Sequence, residues 1–378
     1  MTKTALVGAR IFAGDTWYDE HALVMSDGRI EMLQAADALP HTMPVQTLEG
    51  GVLLPGFVDT QVNGGGGVLF NDAPTVDGII SIAKAHRKFG TTAMLPTLIS
   101  DDLDVIAKAI CAVDDAIQAG VPGIVGIHIE GPFLNPRKHG IHDAGKFRSL
   151  NADTVVLLSS LKYGRTLVTL APELAPEGAI AALVKGGVVV AAGHTLASYD
   201  DMQRAIGEGL SGVTHLFNAM TQMESRAPGV VGASLDSDLV CGIIADGHHV
   251  HPASLRAAYR AKGSEGLMLV TDAMPTVGSD IMHFTVGGTD VTASKGMLRS
   301  NDGTLAGSDL DMAQALRNCV QLMRADLGSA SHMASTTPAE FIGIGNAYGR
   351  IAAGYRADLV HLDDALNIQN VWIAGDIA

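Results

Sequence analysis

Four residues of the types that bind metals or carry protons each end a different apolar run. Glu130 closes Gly126-Ile127-His128-Ile129-Glu130, and His194 closes Val188-Val189-Val190-Ala191-Ala192-Gly193-His194. His215 follows Gly212-Val213-Thr214, and Asp272 closes Leu267-Met268-Leu269-Val270-Thr271-Asp272. Two neutral imidazoles and a carboxylate make a hydrolytic zinc set that leaves one position open for water. The metal lowers the pKa of that water from about 15.7 toward roughly 7, so hydroxide is available at neutral pH. Asp272 is then free to carry protons. One His or Asp at a strand end is commonly a cap or a satisfied hydrogen-bonder. Four of them, on four separate runs, favour a common site.

Such a site needs elements that bring four strand ends together. Apolar runs of strand length recur at 55–63, 91–96, 123–130, 166–173, 187–194, 212–217, 240–246 and 266–272. Between them, Val76 to Phe89, Leu103 to Gln118, Ala152 to Lys162, Tyr199 to Glu208 and Pro252 to Lys262 carry apolar residues at the three-to-four spacing of amphipathic helices. Eight strand–helix alternations predict an α/β fold, a (β/α)₈ TIM barrel whose C-terminal mouth collects the strand ends. A doubly wound open sheet is the other fold compatible with this pattern. Asp309 to Leu327 reads as a helix after the last strand, capped by Ser308 or Asp309. Near the start, Ser26-Asp27-Gly28 separates two short apolar runs in the manner of a hairpin, and 357–362 and 371–373 look alike at the other end. The two ends are expected to form one small β-sandwich domain, from residues 1–52 and 347–378, around a catalytic barrel at 53–346.

A chain of 378 residues that is 47% apolar and 17% charged can bury a large core. The net charge of −15 repels nucleic acid and anionic lipid, so neither is an expected partner. Cys111, Cys241 and Cys319 are far apart and show no CxxC spacing, which argues against a disulfide framework or thiolate zinc site and fits a reducing cytoplasm. The N-terminal stretch has no long apolar signal-peptide core, and no run long enough to cross a membrane occurs elsewhere, so a soluble, unexported chain is expected. Gly64-Gly65-Gly66-Gly67 lacks the Lys and Ser/Thr of a P-loop, and reads as a loop whose backbone approaches the site.

The combined motifs resemble the amino-sugar 6-phosphate deacetylases of the amidohydrolase superfamily over essentially the whole chain. The carrying segments are Pro55-Gly56-Phe57-Val58-Asp59, His128-Ile129-Glu130-Gly131-Pro132-Phe133, Gly193-His194-Thr195, Thr214-His215-Leu216-Phe217-Asn218-Ala219-Met220, Ala245-Asp246-Gly247, Leu269-Val270-Thr271-Asp272-Ala273 and Gly354-Tyr355-Arg356-Ala357-Asp358-Leu359-Val360. The resemblance implies Glu130, His194 and His215 as metal ligands. It implies Asp272 as the catalytic acid/base that takes a proton from the attacking water and returns it to the departing amine. Many amidohydrolases carry His-x-His after the first barrel strand as ligands for a second metal, but here Gln61 and Asn63 occupy those positions. One divalent ion per subunit is therefore expected, zinc first, with iron(II) or another divalent ion as alternatives. Gln61 and Asn63 are possible site-lining residues; for Gln61 a plain polar strand-end role is equally open.

By the same resemblance, His142 contacts the substrate or polarises its carbonyl, and Asn218 and Ala219 touch the sugar. Arg226 and His249 are the phosphate candidates, because guanidinium and imidazole donate to a dianion. For Arg226 the alternative is an ordinary surface arginine, and for His249 the neighbours His248 and His251 compete. Leu305, Ala306 and Gly307 follow the Asn301-Asp302-Gly303 turn and either close over the sugar or simply begin a helix. His128 points to the same strand face as Glu130 but one layer deeper, in a packing or supporting role. His86, His332 and His361 are read as solvated or structural.

The activity implied is deacetylation of N-acetylglucosamine 6-phosphate to glucosamine 6-phosphate and acetate in amino-sugar catabolism or recycling, by a cytoplasmic homodimer. The competing readings are the same chemistry on N-acetylgalactosamine 6-phosphate, a cyclic-amide hydrolase or deaminase, and a non-catalytic sugar-phosphate-binding barrel. The absent His-x-His weighs against the cyclic-amide class, and the intact strand-end set weighs against a dead barrel.

Overall fold

The computed structural model describes residues 3–378. Eight parallel strands, Phe57–Val62, Thr91–Ile99, Gly126–Glu130, Arg165–Leu170, Val189–Ala192, Gly212–Val213, Val240–Ile243 and Leu267–Leu269, pair in chain order. Each falls on one of the eight apolar runs. Periodicity leaves closure open, and the first and last strands settle it. Val62 bridges Ala273 in parallel, Asp272 N–H donates to the Gln61 carbonyl at 2.9 Å, and Asn63 N–H donates to the Ala273 carbonyl at 2.9 Å. The architecture is a TIM-like barrel rather than an open sheet.

Asp59 ties the same seam from inside. It is fully buried and accepts from Thr271 Oγ1 at 2.6 Å and from the Gln61 N–H at 3.2 Å. Burial pushes its carboxyl up to about 7, against the opposing pull of the Thr271 hydroxyl. A folded value above the unfolded one contributes stability that is complete below the unfolded pKa and lost as pH rises through the folded one. The unfolding free energy of metal-free protein is therefore expected to fall from about pH 4 to pH 7 relative to Asp59→Asn, by up to about 1.4 kcal/mol per pH unit. Parallel stability curves for the two proteins would remove Asp59 from this role.

Helices Leu103–Gln118 and Pro252–Lys262 have the bounds expected from their periodicity. The helix expected over 152–162 stops at Leu158, because the N–H groups of Lys162 and Tyr163 both turn to the Asp114 carboxylate at 2.9 Å. The helix expected from Asp309 starts at Met312 and is capped by Asp311, which accepts from Gln314 N–H at 2.8 Å. It passes into a wide π turn over Cys319–Met323 and ends at Arg324, whose φ is +62°. Ser308 is no cap: it ends a strand, and its hydroxyl donates to the Thr271 carbonyl at 2.5 Å.

That strand belongs to a four-stranded antiparallel sheet, His283–Val286, Thr289–Ser294, Met297–Ser300 and Leu305–Ser308, inserted between the last barrel strand and the following helix. The Gly287-Gly288 and Lys295-Gly296 turns have positive φ at both residues, the geometry of tight hairpins. The sheet packs Val286, Val291, Leu298 and Ala306 against Leu69, Ile99 and Met274 at one side of the barrel mouth.

The two ends of the chain meet. Val52–Pro55 pairs with Leu359–Leu362 from the C-terminal stretch and with Arg10–Ala13 from the N-terminal stretch, in one six-stranded sheet. A second, four-stranded sheet packs on it, and Leu6, Leu23 and Ile30 of one share a core with Ile11, Leu53, Leu359 and Trp372 of the other. No helix among the described residues is long and apolar enough to cross a membrane.

Candidate metal and catalytic site

The strand-end residues converge because the backbone turns sharply where each strand stops. His194, His215 and Asp272 all have positive φ, +48°, +33° and +52°, as does Ala219 at +49°. Each such residue costs about 1 kcal/mol or more, and strain of this kind collects at functional sites. His215 Nε2 lies 3.1 Å from Glu130 Oε1 and 3.0 Å from His194 Nε2, and His194 Nε2 lies 3.3 Å from Glu130 Oε1. Their candidate ligand atoms all lie within 4.8 Å of one another, and the three side chains are buried.

This set fits a divalent ion. His194 Nδ1–H donates to the Lys138 carbonyl at 2.7 Å, so in the neutral ring Nε2 keeps its lone pair and turns it to the cluster. Two imidazole nitrogens and a carboxylate oxygen aimed at one point need a cation or proton between them. Burial raises the Glu130 pKa, but the facing imidazoles of His194 and His215 prevail and hold it well below the usual carboxylate range. The carboxylate is thus ready to ligate.

Asp272 adjoins the cluster without joining it. Gln61 Nε2 donates to Asp272 Oδ1 and to Glu130 Oε2, each at 3.1 Å, and Asn63 Nδ2 donates to Asp272 Oδ1 at 2.6 Å. Burial, followed by the Glu130 charge, pushes the Asp272 carboxyl up to about 6. A carboxyl tuned to that range exchanges protons readily near neutral pH.

A cavity of about 410 Å³ opens above these groups, enough for a monosaccharide-sized ligand. Asn63, His142, Asn218, Ala219, His249, Leu305 and Gly307 all line it, together with the four strand-end residues. His142 Nδ1 accepts from the Ser100 N–H at 3.3 Å and lies 2.8 Å from Ser100 Oγ, so the ring proton sits on Nε2. Burial, then the neighbouring His194, holds its pKa well below the ordinary histidine value. His142 is therefore a neutral donor at this wall. His249 is the cluster histidine that reaches the cavity, with Nδ1 fixed by Asp246 Oδ2 at 2.6 Å. His248 is exposed, and His251 instead caps the helix that starts at Pro252.

Three expected residues fall elsewhere. Ala306 turns into the core of the inserted sheet, because alternate strand residues face opposite sides and Leu305 and Gly307 take the cavity side. Gln61 lies beneath the cavity floor. Arg226 is exposed on a loop lining a neighbouring groove and does not reach the cavity of its own chain. Of the histidines read as solvated or structural, His86 and His361 are buried, and each donates its Nε2–H to a backbone carbonyl, that of Gly64 and that of Gly50, at 2.8 Å. His128 lies buried below the cluster, 2.8 Å from Thr169 Oγ1, and burial lowers its pKa to about 4.

Four further residues around the site carry no signal in the sequence pattern. Arg137 and Lys138 bring cationic side chains and His139 an imidazole to the cavity wall, distinguished only by their place in the loop that leads to His142. Glu173 accepts from Asn135 Nδ2 at 2.9 Å, from Leu196 N–H at 2.6 Å and from Thr195 Oγ1, so it joins the loops that carry Lys138 and His194. No periodicity marks it.

Fold and site together define the class. Residues 52–378 match the family model described as the amidohydrolase family, so the chain belongs to the amidohydrolase family. Residues 4–53 match the NagA composite domain. The chain is 44% identical to N-acetylgalactosamine-6-phosphate deacetylase from Shewanella sp. (strain ANA-3), over 98% of this chain and 94% of that protein. It superposes on N-acetylglucosamine-6-phosphate deacetylase from Pasteurella multocida with a TM-score of 0.97 and 33% identity, covering 100% and 99% of the two chains. A mutant of the Mycobacterium smegmatis N-acetyl-D-glucosamine-6-phosphate deacetylase, solved in complex with N-acetyl-D-glucosamine-6-phosphate, gives 0.92 and 32%, covering 100% and 99%.

Proposed function

We propose that this chain hydrolyses the acetamide of N-acetylglucosamine 6-phosphate to glucosamine 6-phosphate and acetate, in amino-sugar catabolism or recycling. The observation that carries the reading is the buried Glu130–His194–His215 set with Asp272 beside it at the cavity floor. Glu130, His194 and His215 would hold one divalent ion, zinc first, which supplies Lewis acidity and lowers the pKa of water. Asp272 accepts the proton of the attacking water and delivers it to the departing amine nitrogen. His142 Nε2–H donates toward the acetamide oxygen as negative charge builds there. Asn218 and Ala219 orient the sugar, Leu305 and Gly307 form the wall facing it, and His249 donates to the phosphate.

The amides of Gln61 and Asn63 support a single ion. Gln61 Nε2 donates to both carboxylates and lies between them, where a second cation would otherwise sit, and Asn63 Nδ2 adds a further donor to Asp272. Metal analysis of protein purified with zinc present is expected to return about one ion per chain. Two tightly held ions would refute this assignment.

Arg226, outside its own cavity, fits a homodimer in which it completes the phosphate site of a second copy. Cytoplasmic location accords with three unpaired cysteines. The galacto epimer is the second reading, favoured by the name of the Shewanella relative. Comparing kcat/KM for the two epimers separates them. A preference for the gluco sugar supports the first reading, and a preference for the galacto sugar replaces it with the second.

A further inference from the structure

Gln61 and Asn63 stand two residues apart at the end of the first barrel strand, so both side chains face the mouth. Gln61, Asn63, Glu130 and Asp272 are each no more than 9% exposed. The two carboxylates divide their oxygens in the same way. Glu130 Oε1 faces the imidazoles of His194 and His215, while Oε2 accepts from Gln61 Nε2 at 3.1 Å. Asp272 Oδ1 accepts from both Gln61 Nε2 and Asn63 Nδ2, at 3.1 and 2.6 Å, while neither amide engages Oδ2.

We propose that Gln61 and Asn63 are positioning residues, an amide clamp that pins Asp272 by Oδ1 so that Oδ2 carries the proton, and couples it through Gln61 to Glu130. The inference rests on Asp272 being the proton carrier, as proposed above.

The chemistry of the donors explains why amides stand here. A primary amide nitrogen has two hydrogens and serves two acceptors, whereas a neutral imidazole has one N–H and serves one. Gln61 therefore bridges both carboxylates with a single nitrogen. Placing that N–H pair between them also offsets their mutual repulsion in a site shielded from water. An unpinned carboxylate rotates about its terminal torsion, which is broad and roughly two-fold, and spends part of its time misaligned. A misplacement of about 1 Å can cost about 10²-fold in rate, so the clamp acts on turnover rather than on affinity.

The test is a double-mutant cycle on the metal-loaded enzyme, with kcat, KM, metal content and melting temperature read for each protein. Asn63→Leu and Gln61→Met are expected to lower kcat by about 10- to 100-fold with KM little changed. Asn63→Leu is expected to keep its ion, because Asn63 makes no hydrogen bond to Glu130, His194 or His215. In an Asp272→Asn background, Asn63→Leu should add little further loss, because it acts through the group already removed. If Asn63→Leu melts early, Asn63→Ser repeats the cycle with a small polar side chain in the same place. Unchanged kcat, a loss confined to KM, or losses that add fully to that of Asp272→Asn would overturn the clamp. Near-normal turnover in Asp272→Asn alone would instead defeat the proton-carrier assignment beneath it.

Discussion

Asp272→Asn is expected to retain the metal and lose about 10²- to 10⁴-fold in kcat, the range attributed to a positioned proton carrier. The geometry separates these effects. Asp272 lies outside the three-residue cluster and is held by amide donors, so exchanging its carboxylate for an amide leaves Glu130, His194 and His215 in place. What disappears is the negative charge and, with it, reversible protonation near neutral pH. The wild-type pH profile carries the same signature. Asp272 must be ionised to take a proton, and its value of about 6 in the metal-free protein falls when a cation sits nearby. The acid limb of kcat/KM is thus expected at or below about pH 6, and to vanish in the residual activity of Asp272→Asn. An acid limb centred above about pH 7, or a variant that turns over normally, would assign the proton to another group.

His215→Ala is expected to lose both ion and activity. Its ring is the most central of the three ligand candidates, with Nε2 at 3.1 Å from Glu130 and 3.0 Å from His194. Removing it leaves two donors where a stable zinc site needs three or more. The protein should purify with little metal, and activity should fall to background and recover only in part at high zinc. The contrast with Asp272→Asn is the informative feature: one variant keeps its ion without turnover, and the other loses its ion first. A His215→Ala protein holding one ion tightly would place the metal elsewhere.

Much of this architecture was legible because it is written in periodicity. The barrel strands are apolar runs of strand length, and Glu130, His194, His215 and Asp272 each close one of those runs, so strand position and chemistry reinforced each other. Closure was not legible, since it depends on Val62 and Ala273 meeting across 211 positions of chain. The inserted sheet was missed although its Gly287-Gly288 turn is a hairpin signal, because its strands are short and its outward residues polar. That omission led to the mistaken cap at Ser308, and strand alternation turns the Ala306 side chain into the core of the inserted sheet. Arg226 shows a different limit. It is a cation on an exposed loop that lines a neighbouring groove, and nothing in its sequence surroundings marks whether it reaches the cavity of its own chain, which it does not. Glu173 acts through three loops that meet only in the folded protein.

Acetate release is the decisive measurement of whether the Glu130–His194–His215 set and Asp272 work together as a metal-dependent deacetylase of amino-sugar phosphates. N-acetylglucosamine 6-phosphate is assayed beside its galacto epimer and the unphosphorylated sugar, with chelated protein and again after metal is restored. Chelated protein is expected to release no acetate, and the phosphorylated gluco sugar is expected to be hydrolysed rapidly once about one ion per chain is bound. Inactivity on all three sugars with the ion in place would contradict the substrate assignment, and full activity in chelated protein would contradict the metal's part in the chemistry.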